Sequence, residues 1–267
     1  MFWNINGKPL ADLIAELAHV HGIQVIILAE CTITVPDLLL ALNRRKATRF
    51  HYCAGRQPCA ITIYSRFSSS FLTPVFESKR VSIRRLSLPA QSEILLAGVH
   101  LPSKRYMNPD SQAGECAALA RQIAHEEDRV GHRRTVLVGD FNVDPFENGM
   151  VSAEGLHSVM TRQIAKRGVR RVQGRDYRLF YNPMWNHFGD ARGLTAGSYF
   201  YDSAEHVNYF WHLFDQVLIR PELAERFDPS HLKIVTSFAG RALARTDGRP
   251  DAAVGSDHLP VVFELNF

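Results

Sequence analysis

The chain has 267 residues, 46% of them hydrophobic and 22% charged, with a net charge of +4. Such a composition supplies a sizeable core and excludes a disordered, fibrous or disulfide-scaffold protein. The mild positive balance permits an anionic partner without demanding one.

No apolar run approaches the length of a membrane span, and "MFWNINGKPL" lacks the basic start and long apolar stretch of a signal peptide. Cys31, Cys53, Cys59 and Cys116 form no C-x-x-C pair. Free thiols in a reducing, cytoplasmic setting are therefore expected. No linker, repeat or low-complexity segment divides the chain, which favours one domain over residues 1–267.

In chain order, "MFWNI" reads as a short strand, and "PLADLIAELAHVHG" carries Leu10, Leu13, Ile14 and Leu17 at helical spacing between Pro9 and Gly22. "IQVIILAE" predicts a buried strand that terminates in Glu30, and residues 36–45 a short helix. A strand-rich middle follows in "TRFHYC", "AITIYS", "SSFLTPVF", "VSIRRLSL" and "EILLAGVHL". Strands that succeed one another without helices imply antiparallel pairing. Residues 110–129 read as a long amphipathic helix, with Cys116, Leu119 and Ile123 on one side. "TVLVGDFN" is a buried strand, another helix is expected over 150–166, and "RLFYN", "GSYFYD", "HLFDQVLI", "LKIVTSF" and "LPVVFEL" complete the strands. This order favours an α+β four-layered sandwich: two mixed β-sheets packed face to face, with helices outside.

Several strands share one habit, ending their apolar run on a metal-capable or proton-capable residue. Asn4, Glu30, His100, and Asp140 with Asn142 all stand at such ends. Asp215 lies within an apolar stretch, and Asp257 and His258 precede the final strand. Singly, each has an ordinary explanation: Asn4 caps a turn, Glu30 pairs with an arginine, His100 is a satisfied core histidine. Their recurrence points elsewhere, because one rim of a sandwich gathers strand ends into a single cleft.

The motifs "FWNING", "ILAE", "GVHLP", "VGDFN", "FDQVLI" and "GSDHLP" occur in this order over almost the whole chain. The set resembles the endonuclease/exonuclease/phosphatase superfamily, which includes exonuclease III-type and pancreatic-type deoxyribonucleases. The resemblance implies hydrolysis of a phosphoester assisted by Mg²⁺ or Mn²⁺. It further implies that Asn4, Glu30 and Asp257 surround the principal metal, that Asp140 and Asn142 lie beside the scissile phosphate, and that His258 pairs with Asp215. His100 takes the position near the leaving oxygen, and Asn6 stands behind Asn4.

The residue chemistry agrees. Hard oxygen donors suit Mg²⁺ better than Zn²⁺, and such a cation neutralises phosphate charge and stabilises a leaving alkoxide. In-line attack needs a base and donors for the developing oxyanion. Asp140 is the expected base, Asn142 holds the water or a phosphoryl oxygen, and His258, kept cationic by Asp215, binds transition-state charge. The reverse assignment, with His258 as base, is also open. His100 is the expected acid.

The substrate is less determined, because one fold hosts nucleases, phosphatases and lipid phosphodiesterases. The basic run "TRQIAKRGVRRVQGRDYR" offers Arg167, Arg170 and Arg171 to backbone phosphates, with "GRALARTDGR" as a second basic patch. Tyr177, Phe180, Tyr181, Trp185 and Phe188 follow and can stack on bases. The ordinary alternatives are a solvated face for the basic run and a core strand for the aromatics. The segments expected of abasic-site enzymes are not evident, and Phe214 stands where inositol phosphatases carry an arginine before their aspartate. A nuclease, with DNA favoured, is the expected activity; a phosphatase or lipid phosphodiesterase using the same metal site is the alternative.

Overall fold

The computed structural model describes residues 1–45 and 49–266. Thr48, which begins the expected "TRFHYC" strand, lies outside them, and the strand there covers His51–Tyr52.

Two sheets form the centre. The six-stranded sheet has the spatial order Lys233–Ile234, Val261–Val262, Phe2–Asn4, Val25–Ala29, Ile61–Ser65, His51–Tyr52. The seven-stranded sheet runs Leu72–Glu77, Val81–Leu86, Ile94–His100, Thr135–Asp140, Asp215–Ile219, Phe180–Tyr181, Ser158–Val159. Both are mixed. Leu72–Glu77, Val81–Leu86 and Ile94–His100 pair antiparallel as their unbroken succession predicts. The long helix between Ile94–His100 and Thr135–Asp140 makes that pair parallel.

Alternation along each strand divides the apolar residues among three layers of core. Phe2, Ile27, Val136, Val138 and Val217 face inward between the sheets. Their neighbours Trp3, Ile26 and Leu28 face outward, against helices α1 (Ala11–Val20) and α2 (Val35–Leu42). On the far side Leu95, Leu137 and Leu218 pack against Cys116, Leu119 and Ile123 of α3 (Pro109–Val130). The result is the expected helix–sheet–sheet–helix sandwich.

Local signals fix the helix ends. The Asn108 side chain accepts the Ser111 amide at 2.8 Å, Pro109 opens α3, and Gly131 closes it in the left-handed region at φ 77°. The expected helix over 150–166 is not formed. Two four-residue helices, Asn148–Val151 and Arg162–Ala165, flank the strand Ser158–Val159. Gly155 turns tightly on Gly149, where a Cβ would lie 2.2 Å from the Gly149 carbonyl, and His157 takes φ 49°. Ser158–Val159 then finds sheet partners in Phe180–Tyr181, and tertiary pairing overrides helical propensity.

Candidate functional site

The register of the seven-stranded sheet places three proton-capable residues in a row. Asp140 ends Thr135–Asp140; His100 stands opposite it on the parallel neighbour and Asp215 opposite it on the antiparallel one. Gly139 permits this approach, since a Cβ there would lie 2.0 Å from the Val99 carbonyl oxygen. The apolar run therefore stops at a glycine for a steric reason, one residue before the carboxylate.

From the opposite sheet Asn4 reaches across. Its Nδ2 donates to Glu30 Oε1 at 3.1 Å and to Asp140 Oδ2 at 3.0 Å, while its Oδ1 accepts the Asn6 backbone N–H at 3.0 Å. The amide thus links two carboxylates on two sheets. His100 Nε2 lies 3.4 Å from Glu30 Oε1 and 3.8 Å from Asp140 Oδ2. Asn142 is held by its neighbours: its backbone N–H donates to Asp140 Oδ1 at 2.9 Å and its Nδ2 to the Leu101 carbonyl at 3.0 Å.

Asn6, Glu30 and Asn142 all adopt positive φ, at 47°, 50° and 54°. Asparagine tolerates this region; glutamate does so at a cost of about 1–3 kcal/mol. At Glu30 the left-handed turn ends the strand and brings the carboxylate to Asn4 and His100.

Asp215 is fully buried, and its Oδ2 lies 2.7 Å from His258 Nδ1. The His258 carbonyl accepts the Trp3 indole N–H at 2.8 Å, tying the "SDH" loop to the first strand. Burial disfavours the charged imidazole, but Asp215, Asp140 and Asp257 outweigh it and push His258 up to about 10. Asp140 is raised above the usual carboxylate range, first by burial and then by Asp215, although His258 and His100 pull the other way. Asp215 Oδ1 is buried with no hydrogen-bond partner among the described residues.

Asp140, Asp215 and His258 bring one donor atom each within 4.8 Å. Nδ1 of His258 is engaged by Asp215, so the imidazole offers only Nε2 toward Asp140 Oδ2, 4.0 Å away. Beside this group, Glu30 and Asp257 are further oxygen donors that could hold a hard cation. Glu30 is 42% exposed and among the described residues its carboxylate meets Asn4 and His100, and the Asp257 carboxylate accepts the Ser256 hydroxyl at 3.1 Å. Oxygen donors without thiolates fit Mg²⁺ or Mn²⁺.

The structure does not bring Arg167, Arg170 and Arg171 to this rim. Arg170 and Arg171 sit on the hairpin Val169–Val172/Arg175–Arg178. That hairpin is anchored where Arg178 meets Glu127 and Asp128 near the C-terminus of α3, and where the Leu179 carbonyl accepts Arg220 Nη1. Both anchors lie at the start of Thr135–Asp140, since the Thr135 hydroxyl donates to Glu127 and its carbonyl accepts the Arg220 amide. Five residue steps, roughly 17 Å, separate Thr135 from Asp140. Phe180 and Tyr181 are core strand residues. Of the second basic patch, Arg249 lies 3.9 Å over the Phe200 ring.

Sequence reading missed a second aspartate–histidine pair. Asp144, fully buried, accepts His212 Nδ1 at 2.7 Å and the Leu213 amide at 2.8 Å, and Lys104 Nζ stands 3.7 Å away. This clamp joins the loop after Asn142 to the segment entering Asp215. Tyr199 was missed as well; its ring lies 4.6 Å from that of His258. The signal was available in "GDFNVDPFE", whose second carboxylate follows Asn142 by two, and in "WHLFD".

Two facing sheets with carboxylates, amides and imidazoles gathered on one rim define a phosphoesterase. The chain belongs to the Endonuclease/Exonuclease/phosphatase family, whose profile matches residues 1–258. No curated protein sequence matches the chain. Among solved structures, a humanized D. rerio TDP2 with 14 mutations is similar at TM-score 0.55 and 16% identity, over 100% of this chain and 97% of that one. A 3'-5' exonuclease from Neisseria meningitidis gives 0.51 and 16%, over 100% and 98%. A mannosyl-6-phosphatase from Bacteroides thetaiotaomicron gives 0.57 and 16%, over 96% and 90%. At these identities the likeness is one of fold. Family members are metal-dependent phosphoesterases, and no described helix is long and apolar enough to cross a membrane.

Proposed function

We propose that residues 1–267 act as one catalytic domain, a Mg²⁺- or Mn²⁺-dependent phosphodiesterase that cleaves nucleic acid, DNA in preference. The observation that carries the reading is the convergence on Asp140 Oδ2 of Asn4 at 3.0 Å, His100 at 3.8 Å and His258 at 4.0 Å. Asn4, Glu30 and Asp257 would hold the cation, which when bound would supply charge neutralisation at the phosphate. Asn4 positions Glu30 and Asp140 through its amide nitrogen.

Burial and Asp215 make Asp140 more basic than a free carboxylate, suiting it to orient water and take its proton. His258, held cationic by Asp215, donates to the oxyanion that develops at phosphorus. Asn142 presents its amide beside it. His100, within reach of both Glu30 and Asp140, delivers a proton to the departing oxygen. Support for a nucleic-acid substrate comes from two similar structures, D. rerio TDP2 with a single-strand DNA product and a Neisseria 3' phosphatase with a product DNA hairpin. The likeness to a mannosyl-6-phosphatase favours a second reading, a phosphomonoesterase using the same rim.

Incubation with supercoiled plasmid, single-stranded DNA, RNA and a sugar phosphate, each with Mg²⁺, Mn²⁺ or EDTA, tests the proposal. Cleavage of DNA with either metal and none in EDTA is expected. Hydrolysis of the sugar phosphate alone would select the second reading. Glu30→Gln is expected to abolish cleavage with an unchanged circular dichroism spectrum and melting point; normal turnover by this variant at limiting Mg²⁺ would remove Glu30 from the metal site.

A further inference from the structure

We infer that Arg80 binds the backbone phosphate that follows the scissile one on the side of the leaving oxygen. The inference rests on the nuclease reading and deepens it: the leaving group is then a charged chain, which a sugar monoester does not supply.

The row of rim residues does not end at His100. Val81 pairs with Val99 in the antiparallel ladder, so the next position sets Arg80 opposite His100. The His100 amide donates to the Arg80 carbonyl at 2.9 Å, and Arg80 Nη1 donates to the His100 carbonyl at 3.3 Å. Across neighbouring strands the rim therefore reads Asp215, Asp140, His100, Arg80. Arg80 stands two strand spacings from Asp140, roughly 10 Å.

The turn that carries it is fixed. Ser78 Oγ accepts the amides of Arg80 and Val81 at 3.3 and 3.2 Å, and the Ser78 amide donates to the Val81 carbonyl at 2.8 Å. The Lys79 carbonyl accepts the amide of Ala60, which leads into the other sheet, also at 2.8 Å. The guanidinium is not tied down in this way. It is half-buried, yet among the described residues Nη1 alone of its nitrogens has a partner, and no described carboxylate lies within 4.0 Å of it or of the exposed Lys79. Glu77 nearby is already engaged: its side chain is 3% exposed and accepts Arg84 Nη2 at 2.7 Å and the Arg56 amide. An arginine fork with open donors and no acidic partner suits the oxygens of a phosphate.

Chemistry orders the same row. Asp140 takes the proton of the attacking water and His100 serves the departing oxygen, and in-line displacement sets those two oxygens on one line through phosphorus. The row continues past His100 to Arg80, so the group Arg80 meets belongs to the leaving chain. The other end of the row is different. Past Asp215, Lys104 is engaged by Glu147 and Asp144 and Arg249 by Asp247, and the loop between Phe200 and Trp211 exposes Asp202 and Glu205.

The test uses the full chain and a labelled oligo(dT) in which one diester beside the scored bond, on one side or the other, is a neutral methylphosphonate. Which fragment retains the phosphate identifies the leaving side. With Mg²⁺, neutralising the leaving-side neighbour is expected to lower kcat/KM by about tenfold or more, chiefly through KM, and neutralising the other neighbour by less than about threefold. This wild-type comparison stands whether or not any variant folds. Arg80→Gln, which keeps an amide donor for the His100 carbonyl, should lower kcat/KM on the unmodified chain by a similar factor and then be indifferent to the leaving-side methylphosphonate. Arg80→Lys, a cation without the fork, should regain part of the loss. An Arg80→Gln enzyme that is slower yet feels the methylphosphonate as the wild type does would make Arg80 a support for His100 and overturn the inference. Equal penalties on both sides, or none on the leaving side, overturn it too. Binding in EDTA, read by fluorescence anisotropy, separates the inference from the nuclease reading. Arg80→Gln is expected to reduce the slope of log K against log salt by about 0.7. An unchanged slope overturns the phosphate site even if DNA is cut. A reduced slope with no nucleic acid cleaved under either metal supports the site and overturns the nuclease reading.

Discussion

The paired strands Thr135–Asp140 and Asp215–Ile219 carry a buried charge cluster at each end, and the two clusters are built on opposite rules. At one end Glu127 is saturated. Its Oε1 accepts the Thr135 hydroxyl and Arg220 Nε, both at 2.7 Å, and its Oε2 accepts Arg178 at 3.0 Å and Arg220 Nη2 at 3.3 Å. Arg220 also lies 3.7 Å over the Phe180 ring. At the other end Asp215 Oδ1 has no partner, Asp140 is held above its ordinary pKa, and Glu30 opens to solvent. Buried charges that satisfy one another serve the fold. Buried charges left wanting are arranged for a ligand.

The largest effect should come from the unsatisfied end. Asp140→Ala or His258→Ala alone is expected to lower kcat by roughly 10⁴-fold or more, and the double variant to cost little beyond either, because the residues act as one unit. Steady-state rates of the three variants decide it; multiplicative losses would break the relay apart. Arg220→Met should do the reverse. Stability falls by about 3–5 kcal/mol, read from the urea midpoint, because Glu127 loses its principal cation, while kcat per folded molecule stays near wild type. A catalytic loss without destabilisation would erase the contrast between the two ends.

Asp144→Ala sharpens the comparison, because its clamp on His212 and Leu213 is saturated like the far end yet sits beside the site. A fall in kcat of about 10–100-fold is expected, by analogy with outer-shell partners of metal sites. A change in melting point with unchanged kcat would make the clamp purely structural. The smallest effect is expected from Arg167→Gln, Arg170→Gln and Arg171→Gln together, which should leave catalysis and the salt dependence of binding unchanged. A drop in the log K–log salt slope of about 0.7–0.9 per residue would instead put that hairpin on substrate.

Most of the layered architecture was legible in the sequence, because the period of two in Phe2–Asn4, Val25–Ala29 and Thr135–Asp140 already divides inward from outward residues. The long helix was legible from its period, and the structure adds Asn108, Pro109 and Gly131 as the residues that set its ends. The expected helix over 150–166 failed where Gly155 and His157 turn the chain and a sheet edge offers Ser158–Val159 a partner. That partner lies some twenty residues further along.

The same division holds at the site. Chemical identity is local, so the sequence by itself determined which residues bring carboxylate, amide or imidazole to the strands and their flanks: Asn4, Glu30, His100, Asp140, Asn142, Asp215, Asp257 and His258. Position is relational, and only the tertiary structure decided it. Register set His100 and Asp215 on either side of Asp140, sheet stacking let Asn4 bridge Glu30 and Asp140, and strand direction carried Arg167, Arg170 and Arg171 to the opposite end. A basic run reads the same wherever it lands. Whether it meets phosphate depends on which end of a strand it follows, and that is fixed by pairings between residues far apart in the chain.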